Sequence, residues 1–383
     1  MTDVVFATAN AGGNVPPLLN IAIEVARRGH RVRVLGHAPQ RVTFERAGLE
    51  FHAYRDPEAW DPTAPQSTFE GLRGFIGELT GRETASALAD QLAPDSVAVV
   101  DCMMLSTLRA AQDASVPTVA VVHSFHAYFD GPWRRGPIGI VAKLKGLGTR
   151  RIWRNCAAVL VCTDRELDPA GLRQWPDSFV WTGPVQAAAP PAETVAPPRV
   201  LVSLSTLAFP GQREAVQNIL DGLAGAPVDV VLTTGPAVDP ADLTVPANAE
   251  VHAFLPHDEV MTTCSAVIGH GGHSTTMRAL AHGLPLVIMP MHPLLDQAMV
   301  GKVVEQAGAG ISIKRTAPPG EVRAAVETVL QGPHRQAAAA IGARWRNGDA
   351  VATAADRILA LHPNESARDD VHRVVDEGRA VEG

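Results

Sequence analysis

The stretch His270-Gly271-Gly272-His273-Ser274-Thr275 decides what the rest of the chain can be. It follows an apolar run at residues 266–269, and it opens a helical pattern that we expect to begin at Ser274 or Thr275 and to close at Gly283. A second buried strand is predicted over residues 284–289. The first N–H groups of a helix lack intrahelical partners and carry roughly half a positive charge, and glycines let a ligand approach the backbone. The stretch therefore predicts a phosphate site in an α/β fold.

Two polar residues, Asp296 and Gln297, stand just beyond that second strand. A carboxylate and an amide at this place can hydrogen-bond to sugar hydroxyls. A phosphate site beside a sugar-binding pair predicts a site for a nucleotide sugar.

Length and composition exclude several classes of protein. A chain of 383 residues exceeds the size of a single hydrophobic core, which stops growing near ~250–300 residues, so two lobes are expected. The net charge of −7 argues against a nucleic-acid partner. Without a signal-peptide pattern or an apolar run of about 20 residues, we expect a cytoplasmic protein with no stable membrane insertion. The four cysteines lie in or beside apolar runs and are expected to be reduced; monomer and homodimer stay open.

The pattern of strands alternates with helical segments along the chain and predicts parallel sheets covered by helices. A proline-rich and alanine-rich segment divides the pattern in two, because prolines favour extended linkers. We expect a first lobe at residues 1–186, a linker at 187–198, a second lobe at 199–349, a helix at 350–362 that packs back on the first lobe, and a flexible acidic tail at 363–383.

Four separated motifs carry a resemblance that spans nearly the whole chain: residues 13–17, 28–32, 94–101 and 269–297. The chain resembles the family 1 glycosyltransferases with the GT-B fold, in which two Rossmann-like lobes face a central cleft. More narrowly, it is similar to bacterial enzymes that glycosylate natural products of the macrolide, polyketide and enediyne types. The resemblance implies that a nucleotide-sugar donor binds the second lobe and a small-molecule aglycone binds the first.

The resemblance also implies individual donor contacts. Hydroxyl residues after the first strand of the second lobe would contact the diphosphate, and the glycine-rich stretch would bind the phosphates. A loop residue would pack on the base of the nucleotide, and the polar pair would hold the sugar. These residues are Ser205 and Thr206; His270, Gly272, Ser274 and Thr275; Leu255; and Asp296 and Gln297. Taken singly, Ser274 could equally be an ordinary helix cap, and Asp296 a solvated loop carboxylate.

Sugar transfer passes through an oxocarbenium-like transition state, so the departing diphosphate needs positive electrostatics and the acceptor must lose a proton. The sequence has no D-x-D triplet to place a divalent metal on the diphosphate. We therefore expect transfer without a metal and with no cofactor besides the donor. The resemblance implies inversion at the anomeric carbon.

The chain departs from the family at the general base. The family's histidine in the first loop is replaced by Asn14, while Asp101 matches the aspartate that orients it. Asparagine cannot accept the proton, so Asn14 would hydrogen-bond either the acceptor or Asp101, and Asp101 would act directly or through water. His123 and His126 follow another strand and are substitute bases. Alternatively, Asp101 only caps the helix that follows it.

Apolar residues of the first lobe are predicted to contact a hydrophobic acceptor, and O-glycosylation from a dTDP-linked or UDP-linked sugar is favoured. The predicted contacts are Met103, Phe125, His126 and Phe129. C-glycosylation of an electron-rich aromatic ring and a non-catalytic sugar-nucleotide-binding homologue that has lost its base remain alternatives.

Other classes explain the chain less well. A dinucleotide oxidoreductase needs G-x-G-x-x-G in its first turn, where this chain has Ala11-Gly12-Gly13-Asn14. A nucleotide-sugar epimerase would need acid and base residues without an acceptor pocket. A metal site built from His270, His273, His282 and His292 lacks both a carboxylate and a suitable spacing.

Overall fold

The computed structural model of the protein describes residues 1–55, 61, 68–185, 189–193 and 195–361. These residues form two α/β lobes, each with a parallel sheet covered by helices, as the sequence predicts. The predicted tail at 363–383 and parts of the predicted linker at 187–198 lie outside the described residues.

The first lobe contains seven strands in the order β3-β2-β1-β4-β5-β6-β7, and every neighbouring pair is parallel. The strands are β1 Asp3–Ala7, β2 Arg31–Gly36, β3 Glu50–Ala53, β4 Ser96–Asp101, β5 Thr118–Val122, β6 Ala158–Val161 and β7 Phe179–Trp181. The helices are α1 Val15–Arg27, α2 Arg41–Arg46, α3 Thr68–Thr80, α4 Arg82–Ala89, α5 Leu105–Asp113, the single turn α6 His126–Tyr128, α7 Pro137–Leu144 and α8 Thr149–Arg154. A π-helical turn, Phe129–Trp133, follows α6.

The second lobe contains six parallel strands in the order β10-β9-β8-β11-β12-β13. They are β8 Arg199–Ser203, β9 Asp229–Thr233, β10 Ala249–His252, β11 Ala266–Gly269, β12 Leu286–Ile288 and β13 Gly310–Ser312. The helices are α9 Gln212–Leu223, α10 His257–Met261, α11 His273–Ala281, α12 Gln297–Gln306, α13 Pro319–Leu330, α14 Pro333–Arg346 and α15 Ala350–Leu359. Single 3₁₀ turns lie at Ala38–Gln40, Gly235–Ala237 and Pro240–Asp242.

The strand orders fix where ligands can bind. In each sheet the chain order reverses beside the first strand, between β1 and β4 in the first lobe and between β8 and β11 in the second. Loops that leave such neighbouring strands diverge to opposite faces and open a crevice at the carboxyl ends. A functional site is expected at these two crevices.

The two strands predicted on either side of the glycine-rich stretch correspond to β11 Ala266–Gly269 and β12 Leu286–Ile288. Two edge strands, β3 Glu50–Ala53 and β7 Phe179–Trp181, are harder to recognise in the sequence. Both are short and incompletely buried, so neither leaves a long apolar run that sequence periodicity can detect.

Helix α15 packs on the first lobe although it follows the second in sequence. Ala354, Ala355 and Ile358 lie in the core cluster that contains the buried face of α1, and Arg28, which caps the end of α1, forms an ion pair with Asp356. The apolar residues lie on one face because their spacing matches the helical repeat. This helix therefore joins the two lobes.

Further contacts hold the lobes together. Phe125 of the first lobe is buried in a core cluster of the second, and its ring meets that of His273 edge to face at 5.2 Å. Asp164 accepts hydrogen bonds from the guanidinium of Arg344 and, at 2.5 Å, from the indole of Trp345. Within the described residues, no helix combines the length and apolar character needed to cross a bilayer.

The substitution Ile358→Ala tests the role of α15. Ile358 is fully buried, so we expect a loss of about 2–5 kcal/mol in the free energy of unfolding. Thr353→Ala on the exposed side of the same helix is the control and should change stability by less than about 1 kcal/mol. Urea unfolding measures both values; equal effects of the two substitutions would contradict the packing described here.

Candidate functional site

The crevice of the first lobe contains a buried amide and carboxylate in contact. Asn14 follows β1, and its side-chain amide donates to Asp101 Oδ2 at 2.6 Å and to the carbonyl of Ala9 at 2.8 Å. The other carboxylate oxygen of Asp101 accepts the backbone N–H of Met103 at 2.9 Å. The sequence left two partners open for the Asn14 side chain, the acceptor and Asp101, and the structure shows the hydrogen bond to Asp101. The alternative that Asp101 only caps the following helix is wrong, because α5 begins at Leu105, its cap position is Met104, and the N–H that Asp101 accepts belongs to Met103, outside the helix.

His123 joins this pair from the end of β5. Its Nε2 lies 3.4 Å from Asp101 Oδ1, and this buried nitrogen has no hydrogen-bond partner among the described residues. Burial alone would lower the pKa of His123, but the charges of Asp101 and Asp296 oppose it, and the net pKa is raised. Because 12% of its side chain is exposed, His123 reaches the cleft, whereas Asp101 is fully buried.

The residue next to His123 reaches the other lobe. The hydroxyl of Ser124 donates to Asp296 Oδ2 at 2.5 Å. Burial raises the pKa of Asp296, although the Ser124 hydroxyl and the charge of His123 act in the opposite direction. The predicted sugar-binding carboxylate therefore contacts the residue that follows the candidate base in the first lobe.

The crevice of the second lobe contains the glycine-rich stretch. Helix α11 begins at His273, earlier than predicted, because Gly272 caps it in an extended conformation and no hydroxyl residue is needed as the cap. Ser274 and Thr275 therefore lie in the first turn, partly exposed, beside N–H groups that lack intrahelical partners. Gly271 has a φ of +83°, and a Cβ there would come within 2.7 Å of the carbonyl of Gln297.

His270 lies beneath this helix start as a neutral side chain. Burial lowers its pKa to about 4, and its Nδ1 is buried without a partner among the described residues. A Cβ at position 272 would come within 2.5 Å of the His270 Nε2, so a glycine is required for the ring to occupy this place. His270 is therefore suited to hydrogen bonding with a phosphate rather than to pairing with it as a cation.

The loops of the two crevices face each other. A Cβ on Gly12 would lie 3.1 Å from the Thr206 hydroxyl, and one on Gly13 would lie 3.6 Å from the Ser274 Cβ. The structure thus brings the loop after β1 against both the loop after β8 and the start of α11. Ser205, which precedes Thr206, has a φ of +121° and accepts the N–H of Leu207.

Two residues predicted to contact the sugar donor make their contacts within the second lobe. Gln297 is buried, and its side-chain Oε1 accepts hydrogen bonds from the N–H groups of Met291 and His292 at 2.7 and 2.9 Å. The side chain therefore shapes the loop after β12. Leu255 is partly buried against the core of the second lobe, next to Phe254, which is 77% exposed.

Comparison with known proteins identifies the type of protein. Residues 12–178 match the model of the glycosyl transferase 4-like domain, and residues 217–360 match that of the erythromycin biosynthesis protein CIII-like C-terminal domain. A curated relative, 4'-demethylrebeccamycin synthase of Lentzea aerocolonigenes, is 26% identical over 421 aligned positions that cover 94% of this chain and 99% of the relative. This chain is a GT-B glycosyltransferase of the natural-product type.

Solved structures share its fold. The glycotransferase of kitacinnamycin superposes with a TM-score of 0.79, at 21% identity over 94% of this chain and 99% of that one. The glycosyltransferase VinC, solved in complex with dTDP, superposes with a TM-score of 0.67, at 17% identity over 94% of this chain and 99% of VinC.

The four residues predicted to contact the acceptor do not form an open surface in this glycosyltransferase. Met103, Phe125, His126 and Phe129 are at most 5% exposed. His126 lies among four aromatic rings, with that of Trp175 at 4.2 Å, and its backbone N–H donates to Asp168. Burial lowers the pKa of His126. Phe129 packs beside the candidate base, with its ring 5.7 Å from that of His123.

Two cavities were not predicted from the sequence. An apolar cavity of about 190 Å³ lies between the segment that follows α6 and the loop that precedes α12, and its lining includes Tyr128, Trp133, Ile138, Leu294 and Met299. A larger cavity of about 340 Å³ lies between α14, α15 and the end of the first lobe, and it contains none of the predicted site residues. The aromatic residues of one wall of the smaller cavity stand out in the sequence. The other wall comes from a segment distant in the chain, so the sequence alone does not indicate the cavity.

One group of potential metal ligands occurs among the described residues. Asp101, Cys102 and His123 place donor atoms within 4.8 Å of one another. Burial and the nearby charge of Asp101 raise the pKa of the Cys102 thiol well above its usual value, so the thiolate that a metal needs is disfavoured. Because both oxygens of Asp101 already accept hydrogen bonds, this group fits a metal poorly. Metal-free transfer stays a prediction.

The substitution Asn14→Asp tests the buried hydrogen bond to Asp101. It places two carboxyl groups in contact, and burial and like charge raise the pKa of the pair in the folded state above the unfolded value near ~4. The added group is tolerated while protonated, so stability should fall as the pH rises through the raised pKa. At pH 8 we expect a loss on the order of 3 kcal/mol relative to the parent, and a smaller loss at pH 5.

Urea unfolding at the two pH values measures this difference. Asn347→Asp, at an exposed helix end, is the control and should show little pH dependence. A penalty for Asn14→Asp that is the same at pH 5 and pH 8 would contradict direct contact between the two groups.

Proposed function

We propose that the glycosyltransferase moves a sugar from a dTDP-linked or UDP-linked donor to a hydroxyl of a hydrophobic small molecule, with inversion and without a metal. One observation carries the proposal. The first turn of α11, with its uncompensated N–H groups, faces a buried group of carboxylate, amide and imidazole across a cleft, and the hydrogen bond between Ser124 and Asp296 joins its two sides.

The second lobe supports a diphosphate donor. Ser274 and Thr275 add hydroxyl donors to the free N–H groups of α11, and Thr206 lies on the facing loop. Asp296, which reaches Ser124 of the first lobe, is the residue that we propose to hold the sugar attached to such a diphosphate. The dTDP complex of VinC, which shares this fold, supports the choice of nucleotide class.

The chemistry of the leaving group follows from these residues. As the bond between the anomeric carbon and the diphosphate breaks, negative charge grows on the phosphate oxygens, and preorganised donors stabilise it. The helix N-terminus supplies partial positive charge, while neutral His270 supplies a hydrogen bond. No metal is part of this proposal.

Inversion is the outcome that we propose for a single displacement between the two lobes. The leaving group would lie on the second lobe, and the group that removes the acceptor's proton on the first. An acceptor oxygen held between them attacks the side of the sugar opposite the diphosphate, and a single displacement inverts the anomeric centre. For the acceptor we propose the apolar cavity of about 190 Å³, which lies between the lobes and suits a hydrophobic ring.

Calorimetry with dTDP and UDP tests the donor site. We expect His270→Ala combined with Thr275→Val to weaken nucleotide affinity about 10-fold to 1,000-fold, because both groups are proposed to hydrogen-bond phosphate oxygens. His270→Gln should retain more affinity than His270→Ala, since the parent histidine acts as a neutral donor. His334→Gln, outside the cleft, is the control. Unchanged affinity in the double variant would exclude this site.

The stereochemistry is tested with a panel of dTDP-sugars and UDP-sugars and a set of phenolic and alcoholic acceptors. We expect the product to have the anomeric configuration opposite to that of the donor, as measured by the proton coupling constant at the anomeric carbon. Added chelator should leave the initial rate unchanged. Retained configuration would exclude a single displacement, and a rate abolished by chelator and restored by Mg²⁺ would exclude metal-free transfer.

A further inference from the structure

We infer that His123, at the end of β5, is the general base of sugar transfer, and that Asn14 has become the residue that positions its aspartate partner. This inference rests on the proposed function and deepens it. The group of residues involved is Asn14, Asp101 and His123, referred to below as the base triad.

Asp101 is poorly placed to meet an acceptor itself. Its side chain is fully buried, and each carboxylate oxygen accepts a hydrogen bond, one from Asn14 and one from the N–H of Met103. A base must come within hydrogen-bond reach of the proton that it removes. The structure therefore assigns Asp101 a positioning role.

Asn14 is committed to Asp101 in a similar way. Its amide nitrogen donates to Asp101 and to the carbonyl of Ala9, and its carbonyl oxygen accepts the N–H of Ala11 at 3.2 Å. An amide does not accept a proton at neutral pH. Asn14 thus contributes the fixed donor that holds the Asp101 carboxylate in place beside His123.

His123 has the exposure and the surroundings of a base. It is the member of the base triad whose side chain reaches the cleft, and the ring of Phe129 lies edge-on to it at 5.7 Å. The titratable groups around it are Asp101 and Cys102 from the first lobe and Asp296 and His273 from the second. His273 is neutral at working pH because burial lowers its pKa to about 3, so the charges that act on His123 are those of the two carboxylates.

The backbone places this base next to the sugar site. Ser124, the next residue, holds Asp296 at 2.5 Å, so consecutive residues of one loop contact the positioning aspartate and the proposed sugar-binding aspartate. A donor sugar bound at Asp296 would therefore have its anomeric carbon close to His123.

Nε2 of His123 faces Asp101 Oδ1 at 3.4 Å, so the other ring nitrogen, Nδ1, is the atom proposed to accept the proton of the acceptor hydroxyl. The oxygen forms a bond to the anomeric carbon, and the bond from that carbon to the diphosphate breaks with its electrons passing to the phosphate oxygen. The products are the glycoside, the nucleoside diphosphate and a proton held on His123, which Asp101 stabilises.

The acidity of the acceptor distinguishes a base from a structural residue. We expect His123→Asn to lower kcat for an aliphatic alcohol acceptor about 100-fold to 10,000-fold. For a nitrophenol, which ionises without help, the loss should be less than 10-fold. Affinity for dTDP or UDP, measured by calorimetry, should stay within about 3-fold of the parent. His52→Gln, on the surface at β3, is the matched control.

The pH profile provides a second measurement. Because a base works when deprotonated, activity toward the alcohol should fall as the pH drops through the His123 pKa, which lies above its ordinary value of 6.5. Asp101→Asn removes the charge that favours the imidazolium and should move this acid limb to lower pH. If His123→Asn does not fold, this shift alone decides the matter, and an unmoved limb would overturn the inference.

Restoring the histidine on the other side of Asp101 is a third measurement. In the His123→Asn background, Asn14→His should recover part of the activity toward the alcohol. Equal losses for alcohol and nitrophenol in His123→Asn, or an unchanged rate with the alcohol, would overturn the inference while leaving the proposed function intact. A parent enzyme that binds nucleotide but transfers sugar to none of the acceptors would instead overturn the proposed function.

Discussion

The hydrogen bond of 2.6 Å between Asn14 and Asp101 fixes the geometry of the first lobe's crevice. It joins the loop after β1 to the end of β4, the two strands between which the order of the sheet reverses. A buried carboxylate destabilises the folded state unless its oxygens accept hydrogen bonds. The amide of Asn14 and the N–H of Met103 supply those hydrogen bonds to Asp101. The position of His123, and through Ser124 the contact with the second lobe, depend on that carboxylate.

The donor half of the site could be predicted from the sequence because its determinants are local. The glycine-rich turn and the start of α11 lie within one short stretch, and topology alone places Ser205 and Thr206 beside them. The prediction erred in placing the start of the helix at Ser274 or Thr275, since Gly272 serves as the cap. Asp101 was predicted from the resemblance and His123 from its place after a strand; the structure brings them together because β4 and β5 are parallel neighbours whose carboxyl ends lie at the same edge.

The acceptor half could not be predicted in the same way. Phe125 and His126 follow β5 as apolar and aromatic residues, a pattern that is the same for a ligand surface and for a core. The structure uses Phe125 to fill the core of the second lobe and His126 to fill an aromatic cluster. The apolar cavity has one wall from each lobe, and a contact between segments so distant in the chain leaves no signal in a single sequence.

Under the proposed function, the Ser124 hydroxyl and the hydroxyls of a donor sugar compete for the same carboxylate, that of Asp296. A complete donor brings hydroxyls that replace the serine on the carboxylate, whereas a bare nucleoside diphosphate brings none. After transfer, the spent nucleotide can no longer compete for that carboxylate. The serine can then return to it, which restores the original hydrogen bond before the next turnover.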